Sequence, residues 1–316
     1  MTTAIQIEHL YKQYGNHLAV QDLCFTINEG EVVGFLGPNG AGKSTTMKIL
    51  TGFIAPSSGT ASIQGINVLE HPTEAQKQIG YLPENAPIYL DMTVRDYLDY
   101  IAKIRGMGRS ERSHSIEKIA LQCGISDRLH QTIATLSKGY KQRVGLAQAL
   151  IHNPPIVILD EPTTGLDPNQ IIEIRNLIRE IGKTKTVILS THILSEVQKT
   201  CDRVIIIHQG ELVADGKVEE IIAQSKGGLQ YRTVFCDDKV SINASHLQEQ
   251  LQQLNGVSQA QLLLNIPEGQ LGFLLSSSQD IRKDIFHLAL AQGIAILELS
   301  PSQGNLEAVF HHLTEQ

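Results

Sequence analysis

Short apolar runs, separated by polar turns, dominate the beginning of the chain and return in its middle. The runs at residues 5–10, 19–27 and 31–36 are interpreted as strands, with "YGN" and "NEG" as the turns between them. Two later runs, "PIVILD" and "TVILS", are apolar throughout, which is typical of parallel strands buried on both faces. From about 85 to 153, apolar residues recur every three or four positions and predict helices. The pattern indicates an α/β core interrupted by an all-helical insert.

Two segments near these strands have clear end signals. In "DPNQIIEIRNLIREIG" we expect Asp167 to be the N-cap of a helix, Pro168 its first residue, and Gly182 the residue after its end. The stretch "RVIIIHQGELVADG" predicts a hairpin that turns at "QG". This hairpin closes the first predicted domain, which spans residues 1–223.

A different order of elements follows residues 224–230, "QSKGGLQ", which have the composition of a linker. Strand "YRTVFC", helix "SHLQEQLQQL", strands "AQLLLN" and "QLGFLLSS", helix "DIRKDIFHLALAQG" and strand "IAILELS" give the order βαββαβ. That order predicts a small ferredoxin-like α+β domain at 230–316, with "NLEAVFHHLT" as a final helix. Acidic residues outnumber basic ones in this domain.

Length and composition agree with two domains, because 316 residues exceed the usual size of one. The formal charge of −7 argues against a nucleic-acid-binding surface, which needs a basic face. We expect no signal peptide, and no apolar run approaches the roughly 18–20 residues of a membrane span. If the protein serves a membrane, we expect another chain to cross it.

Cysteine and histidine give no sign of a metal site in the sequence. The chain has four cysteines without a C-x-x-C spacing: Cys24, Cys123, Cys201 and Cys236. We interpret them as free core thiols in a reducing compartment, not as disulfides or a zinc site. The pair "HH" near the end is assigned to an amphipathic helix, and the remaining histidines show no ligand spacing.

The stretch "LGPNGAGKSTT" has the pattern G-x-x-x-x-G-K-[ST] from Gly37 to Ser44. Glycines let backbone N–H groups curl around a phosphate chain, and Lys43 can reach the terminal phosphates. Ser44 offers a hydroxyl to Mg²⁺, and the following helix directs its positive N-terminus at the anion. A strand-like run precedes the loop and a helix-like run follows it, so we predict a nucleoside triphosphate site.

A second signal is "IVILDEP", an apolar strand that ends in two carboxylates. Asp160 at the strand end can hold Mg²⁺, and Glu161 can orient and polarise an attacking water for phosphoryl transfer. GTPases, kinases, helicases and transporters share the first motif, so these two signals define a class of enzymes and not one function.

A third signal narrows the class. "LSKGYKQR" at residues 136–143, followed by "TTGLDP" and "STH", closely resembles the motif series of the ATP-binding cassette (ABC) family, over residues 5 to about 220. The resemblance implies a P-loop NTPase (RecA-like) core with ABC-type antiparallel β and helical subdomains. "GYLPE", "LSKGYKQRVG" and "NLEAVFHHL" look like the ATPase subunits of gliding-motility, sodium-efflux and drug-efflux export systems.

The resemblance implies a role for each motif residue. Adenine stacks on Tyr14, His192 contacts the γ-phosphate, and Glu161 acts as the catalytic base. The residues around the ATP phosphates are Gly37, Pro38, Asn39, Gly40, Ala41, Gly42, Lys43, Ser44 and Thr45, and those at Mg²⁺ are Ser44, Glu84 and Asp160. Lys43 also belongs to the catalytic group. Ser137 and Gly139 grip the γ-phosphate bound by a second subunit, in a head-to-tail ATP sandwich.

Two positions depart from the family pattern. Glu84 stands where most members have glutamine, and its carboxylate can still bind Mg²⁺. In the signature, Lys138 replaces the first glycine and Tyr140 the glutamine. Lys138 adds a positive charge to the signature, but unlike glycine it does not readily adopt positive φ. Whether this replacement helps or weakens ATP binding is left open.

The resemblance implies an ATPase subunit that uses ATP and Mg²⁺, pairs with an identical second subunit and powers a separate membrane permease in export. Its expected location is cytoplasmic, on the inner face of the membrane. One alternative is a soluble cassette ATPase acting on nucleic acid or ribosomes; such relatives usually have two cassettes or a long coiled coil, and neither is present. Another is a regulatory module that holds ATP without hydrolysing it.

Overall fold

The computed structural model describes residues 2–224, 229–236, 243–263, 266–267, 269–302 and 310. The chain divides into two compact units, residues 1–218 and 219–316. Most of the predicted linker and, apart from Phe310, the predicted final helix lie outside the described residues. Each unit has its own hydrophobic core and is described by itself.

A six-stranded sheet forms the centre of the first unit. In spatial order its strands are β10 (Glu211–Lys217), β9 (Arg203–His208), β3 (Val32–Leu36), β8 (Thr186–Thr191), β7 (Ile156–Asp160) and β6 (Ile79–Leu82). Neighbouring strands are parallel except β9 and β10. Every position of β3, β7 and β8 is buried. The expectation of parallel strands buried on both faces is confirmed for β7 and β8.

A second, antiparallel sheet packs against this one. Its strands, in spatial order, are β2 (His17–Asn28), β1 (Thr3–Tyr14), β4 (Ser58–Ile63) and β5 (Ile66–Asn67). One core cluster contains Ile7 and Phe25 from this sheet together with Phe35 and Ile158 from the larger sheet. The rings of Phe25 and Phe35 lie 5.6 Å apart. Full burial of such a side chain contributes about 1.5–3 kcal/mol, so these contacts hold the two sheets together.

Eight helices accompany the sheets in the described part of the first unit and its boundary: α1 (Lys43–Leu50), α2 (Pro72–Lys77), α3 (Val94–Ile104), α4 (Arg109–Cys123), α5 (Lys138–Leu150), α6 (Pro168–Gly182), α7 (Leu194–Thr200) and α8 (Val218–Gln224). Helices α3, α4 and α5 form the predicted helical insert, with short 3₁₀ turns at Ser126–Arg128 and Ile133–Thr135. Thr93 caps α3 by accepting a hydrogen bond from the Asp96 amide.

The start of α6 follows its prediction, and its end does not. The Asp167 side chain accepts a hydrogen bond from the Gln170 amide, and Pro168 opens the helix. Gly182, however, is the last helical residue and not the one after it. A Cβ on Gly182 would lie 2.4 Å from Cγ2 of Val32, so the close approach of helix to strand requires glycine here.

The hairpin of β9 and β10 turns at the predicted pair. Gln209 and Gly210 both have positive φ, 48° and 85°. Two left-handed residues are typical of a type I′ turn, whose twist matches that of the flanking strands. The prediction of a hairpin turning at these residues is confirmed.

The described part of the second unit contains β11 (Leu229–Cys236), α9 (Ala244–Gln252), β12 (Val257–Leu262), β13 (Gln270–Ser277), α10 (Arg282–Gln292) and β14 (Ala295–Ser302). The sheet order is β12-β13-β11-β14, with every neighbouring pair antiparallel. This is the predicted ferredoxin-like βαββαβ arrangement. Phe235, Phe273 and Leu275 are fully buried in its core.

The linker prediction is wrong at both of its ends. Gln224 belongs to α8, while Leu229 and Gln230 pair with Ser277 and Ser276 as the first residues of β11. Strand pairing with a distant segment overrides their polar composition. Among the described residues, no helix combines the length and the apolar character needed to cross a membrane.

Candidate functional site

Four segments meet at one edge of the large sheet. Strands β3, β8, β7 and β6 are consecutive neighbours and parallel, so their carboxyl ends lie side by side. They deliver the glycine-rich loop, His192, the Asp160–Glu161 pair and Glu84. There the structure forms a cavity of about 450 Å³. Its lining residues are Tyr14, His17, Ala19, Asn39, Gly40, Gly42, Lys43, Ser44, Thr45, Glu84, Glu161, Thr164 and His192.

The glycines of the loop permit close backbone contacts. Gly40 and Gly42 adopt φ of 85° and 100°, which side chains rarely tolerate. A Cβ on Gly42 would lie 2.4 Å from the Ala19 carbonyl oxygen, and one on Gly37 2.6 Å from that of Ile207. The close approach of these carbonyls therefore requires glycine at both positions, in a loop that leads into the N-terminus of α1, where an anion binds favourably.

Lys43, the first residue of α1, lies within the loop with 6% of its surface exposed. Its ammonium donates to the carbonyl oxygens of Gly37 at 2.7 Å and Pro38 at 3.2 Å. Burial lowers the pKa of Lys43, and the nearby Glu161 and Asp160 carboxylates oppose that shift. The positive charge is thus positioned beside the cavity.

Asp160 ends β7 as a buried carboxyl group. The Ser190 hydroxyl donates to its Oδ1 at 2.7 Å, and the Ser44 side chain is also hydrogen-bonded to it. Burial raises the pKa of Asp160, while these two hydrogen bonds counteract the rise. Ser44 and Asp160 together offer the oxygen donors that Mg²⁺ prefers, so the residues present fit this ion.

Glu161 follows with φ of 50°, an uncommon conformation for a residue other than glycine. Its amide donates to the Ser190 carbonyl oxygen at 2.8 Å. Its Oε1 lies 2.8 Å from Nδ1 of His192, and its Oε2 accepts from Thr164 at 3.2 Å. The carboxylate is therefore held in one orientation at the cavity wall.

Tyr14 and Glu84 lie on the rim of the cavity. Tyr14 is 46% exposed, and Nζ of Lys12 lies 5.1 Å from the centre of its ring. The exposed part of the Tyr14 ring is available for stacking, and the Lys12 ammonium already makes a cation–π contact with this ring. Glu84 is exposed and close enough to Lys43 to influence its ionisation.

Other predicted site residues do not line this cavity. Gly37, Ala41 and Asp160 are buried, and the Pro38 carbonyl oxygen accepts the second hydrogen bond of Lys43. Ser137 and Gly139 lie elsewhere, at the start of α5.

The signature segment contacts other parts of its own chain. Ser137 caps α5 by accepting a hydrogen bond from the Tyr140 amide. Gly139 packs against the Gln170 side chain, and the Lys138 side chain lies over Gly165 in "TTGLDP". Lys138 therefore occupies the space that a Cβ at Gly165 would need.

The structure adds residues that the sequence did not single out. Ser190 holds Asp160, and its place in "ILSTH" was the available signal. The Thr163 hydroxyl donates to Oε2 of Glu196 at 2.7 Å, and both residues are buried. Burial raises the pKa of Glu196, and the Thr163 hydrogen bond opposes the rise. Glu196 lies on α7, four positions after His192, and Thr163 lies two positions after Glu161. The hydrogen bond between Thr163 and Glu196 therefore links the segments that contain Glu161 and His192.

Comparison with known proteins gives one consistent answer. A family model described as ABC transporter matches residues 20–164. The linearmycin resistance ATP-binding protein LnrL of Bacillus subtilis (strain 168) is 30% identical over 98% of both chains. The bacitracin transport ATP-binding protein BcrA of Bacillus licheniformis is 37% identical over 73% of this chain and 76% of that protein. The solved structure of cbiO1 from Clostridium perfringens, described as part of the ABC transporter complex cbiONQ, gives a TM-score of 0.66 at 27% identity. It covers 72% of this chain and 93% of that one.

Proposed function

This chain belongs to the ABC transporter family, and we propose that it is the ATP-hydrolysing subunit that drives a separate membrane permease. The observation that supports hydrolysis best is the contact of Glu161 with His192 beside the glycine-rich loop. It places a carboxylate and an imidazole, from adjacent strands, at the wall of the cavity that Lys43 and Ser44 also line. Phosphoryl transfer to water needs this combination of a phosphate cradle and an oriented base.

The roles of the individual residues follow from their positions. Lys43 and the amides of the loop hold the phosphates. Glu161 accepts the proton of the attacking water, and His192 contacts the γ-phosphate and, through its hydrogen bond, orients the Glu161 carboxylate. Ser44, Asp160 and Glu84 hold Mg²⁺. The ion, when bound, neutralises charge on the phosphate oxygens. Tyr14 stacks on the adenine at the rim of the cavity.

The complete site requires a second copy of the chain. Ser137 and Gly139 lie outside the cavity of their own chain, although the family signature assigns them to ATP. In a head-to-tail dimer they face the γ-phosphate bound by the other subunit. We therefore propose a homodimer with two composite sites.

The transported cargo leaves the cell. The proposal rests on the relatives, because LnrL is a resistance protein by name and resembles this chain over 98% of both lengths. BcrA is named for bacitracin transport. An ATPase of this kind works at the cytoplasmic face of the membrane, bound to its permease.

Phosphate release from ATP by the purified chain, with and without Mg²⁺, tests this function. Membranes solubilised in detergent are then searched for a multi-span protein that co-purifies with the chain. Retention of ATP without hydrolysis, also when the permease is present, would support a regulatory module instead. Stimulation by RNA or ribosomes would support the alternative that acts on nucleic acid, which the net charge of −7 disfavours.

A further inference from the structure

Three metal-ligating side chains converge on the β1–β2 hairpin, outside the nucleotide cavity. The His9 Nδ1 atom lies 2.8 Å from Oδ1 of Asp22 and 3.6 Å from Sγ of Cys24. One donor atom of each residue lies within 4.8 Å of the others. Within the part of the chain that the structure describes, no second group of three such donors comes together.

Cys24 is a free thiol, as expected, but it does not lie in the core. The thiol is only partly buried, and its partners His9 and Asp22 are 15 and 2 residues away along the chain. Antiparallel pairing of β1 with β2 supplies the proximity that sequence spacing lacks.

Irregular pairing gives the cluster its shape. The register of β1 against β2 shifts between Ile7 and Leu10 and again between Leu10 and Lys12. His9 and Asp22 both adopt φ of 46° within this region. A bulge of this kind changes the direction of a side chain relative to a regular strand. The His9 amide also donates to Sγ of Cys24 at 3.1 Å, which holds the sulfur beside the imidazole.

The donor spacing resembles that of a zinc site. Zinc binds nitrogen at about 2.0 Å and thiolate sulfur at about 2.3 Å, so tetrahedral angles place the two donors about 3.5 Å apart. The observed separation of Nδ1 and Sγ is 3.6 Å. The corresponding nitrogen–oxygen separation is about 3.3 Å. The observed distance between Nδ1 of His9 and Oδ1 of Asp22 is 2.8 Å, which is about 0.5 Å shorter.

We propose that His9, Asp22 and Cys24 bind Zn²⁺, with water in the remaining position. Imidazole and thiolate favour zinc over Mg²⁺ and Ca²⁺, which prefer oxygen donors. The side chains of His9 and Asp22 are 77% and 53% exposed, so an ion reaches the site directly. Asp22 is also hydrogen-bonded to Tyr11. Carboxylates that bind metals commonly have such an additional hydrogen-bond partner.

A zinc ion at this site would connect β1 and β2, and Tyr14 is the last residue of β1. None of the three ligands lines the nucleotide cavity, so the site fills without ATP.

Co²⁺ is the probe that tests this proposal on the full-length, nucleotide-free chain. A thiolate ligand gives Co²⁺ a sulfur-to-metal charge-transfer band in the near ultraviolet, and tetrahedral geometry gives intense visible bands. We expect both bands in the wild-type chain, with loss of both on addition of Zn²⁺. Cys24→Ser should abolish the charge-transfer band, and His9→Gln and Asp22→Asn should weaken Zn²⁺ binding by more than about tenfold.

Cys236→Ser is the matched control, because Cys236 is also partly buried but lies in the second unit. It should leave the spectrum unchanged. Circular dichroism and ATP binding identify any variant that has lost its fold. The proposal is overturned if the wild-type chain shows no charge-transfer band, or if the band persists in a folded Cys24→Ser protein.

Discussion

The Nδ1 atom of His192 lies 2.8 Å from Oε1 of Glu161, across 31 residues of sequence. The two residues follow β8 and β7, which are adjacent and parallel, so the contact is a consequence of strand order. Thr164 donates to the other carboxylate oxygen of Glu161. Glu161 also keeps a left-handed backbone, which costs on the order of 1 kcal/mol. Such conformations persist where the surrounding structure fixes them, commonly at active sites.

Glu161→Gln should separate binding from hydrolysis. The amide removes the base, while Lys43, Ser44 and Asp160 still hold nucleotide and metal. We expect phosphate release to fall by about 10²-fold or more, with ATP affinity retained. Steady-state phosphate release and equilibrium ATP binding measure the two properties. Glu180→Gln, on the exposed surface of α6, is the control, and near-normal turnover of the Glu161 variant would exclude Glu161 as the base.

Lys43→Ala should instead weaken nucleotide binding. The variant loses the cation that lies beside the cavity and leaves the Gly37 carbonyl without its 2.7 Å donor. A hydrogen bond to a charged group contributes about 1.5–3 kcal/mol, so affinity for ATP should fall by about tenfold to a hundredfold. Lys48→Ala removes an exposed lysine from the same helix and should change nothing. Titration with a fluorescent ATP analogue compares them, and equal affinities would contradict the role of Lys43.

Much of this architecture follows from local sequence. Continuous apolar runs were sufficient to predict β7 and β8, and the "QG" turn was sufficient to predict the hairpin at Gln209 and Gly210. These features depend on neighbours along the chain. The glycine-rich loop is likewise recognisable as a local motif, although the approach of the Ala19 carbonyl to Gly42 is not visible in it.

Contacts between distant segments could not be predicted in this way. Gly182 is glycine because Val32 approaches it, although the sequence suggested a helix stop. The hydrogen bond between Thr163 and Glu196 joins residues 33 positions apart and depends on how β7 and α7 are placed. Glutamate side chains are rarely buried, so the sequence around Glu196 predicts an exposed side chain. The structure instead buries it.

Hydrolysis should require residues from two chains. Ser137→Arg places a bulky cation at the signature and should inactivate a homodimer, as Lys43→Ala does. A mixed dimer of the two variants has one site with both Lys43 and Ser137 intact. We expect ATPase activity to return on mixing, with a maximum near equal amounts. Absence of recovery, when mixed dimers are shown to form by cross-linking, would indicate a site complete within one chain.

Glu196→Gln should stabilise the chain at neutral pH, by on the order of 1 kcal/mol. Burial raises the pKa of Glu196 in the folded state above its value in the unfolded chain. The protonated Glu196 side chain therefore stabilises the fold fully at pH values below the unfolded pKa, and this stabilisation is lost as pH rises through the folded pKa. Above that range the wild-type chain bears the cost of a buried charge, whereas glutamine does not and still accepts from Thr163.

Urea unfolding from pH 4 to pH 8 measures this effect. The stability difference between Glu196→Gln and the wild-type chain should shrink as pH falls toward the carboxyl range, about 4.3 for an unperturbed glutamate. Glu180→Gln, an exposed substitution, should show no such trend. A difference that is constant over this range would contradict a buried, charged Glu196.

The second unit should affect assembly or regulation, not chemistry. All residues around the nucleotide cavity lie within residues 1–218, and the second unit has its own core around Phe235 and Phe273. We hypothesise that this acidic unit pairs the two subunits or tunes the ATPase. A chain that ends after Ala223 should therefore bind ATP normally but change in oligomeric state or turnover. Sedimentation velocity and phosphate release measure both. If neither property changes, with or without the permease, docking of a partner becomes the better explanation. A unit that folds around its own core can bind a partner without any effect on catalysis.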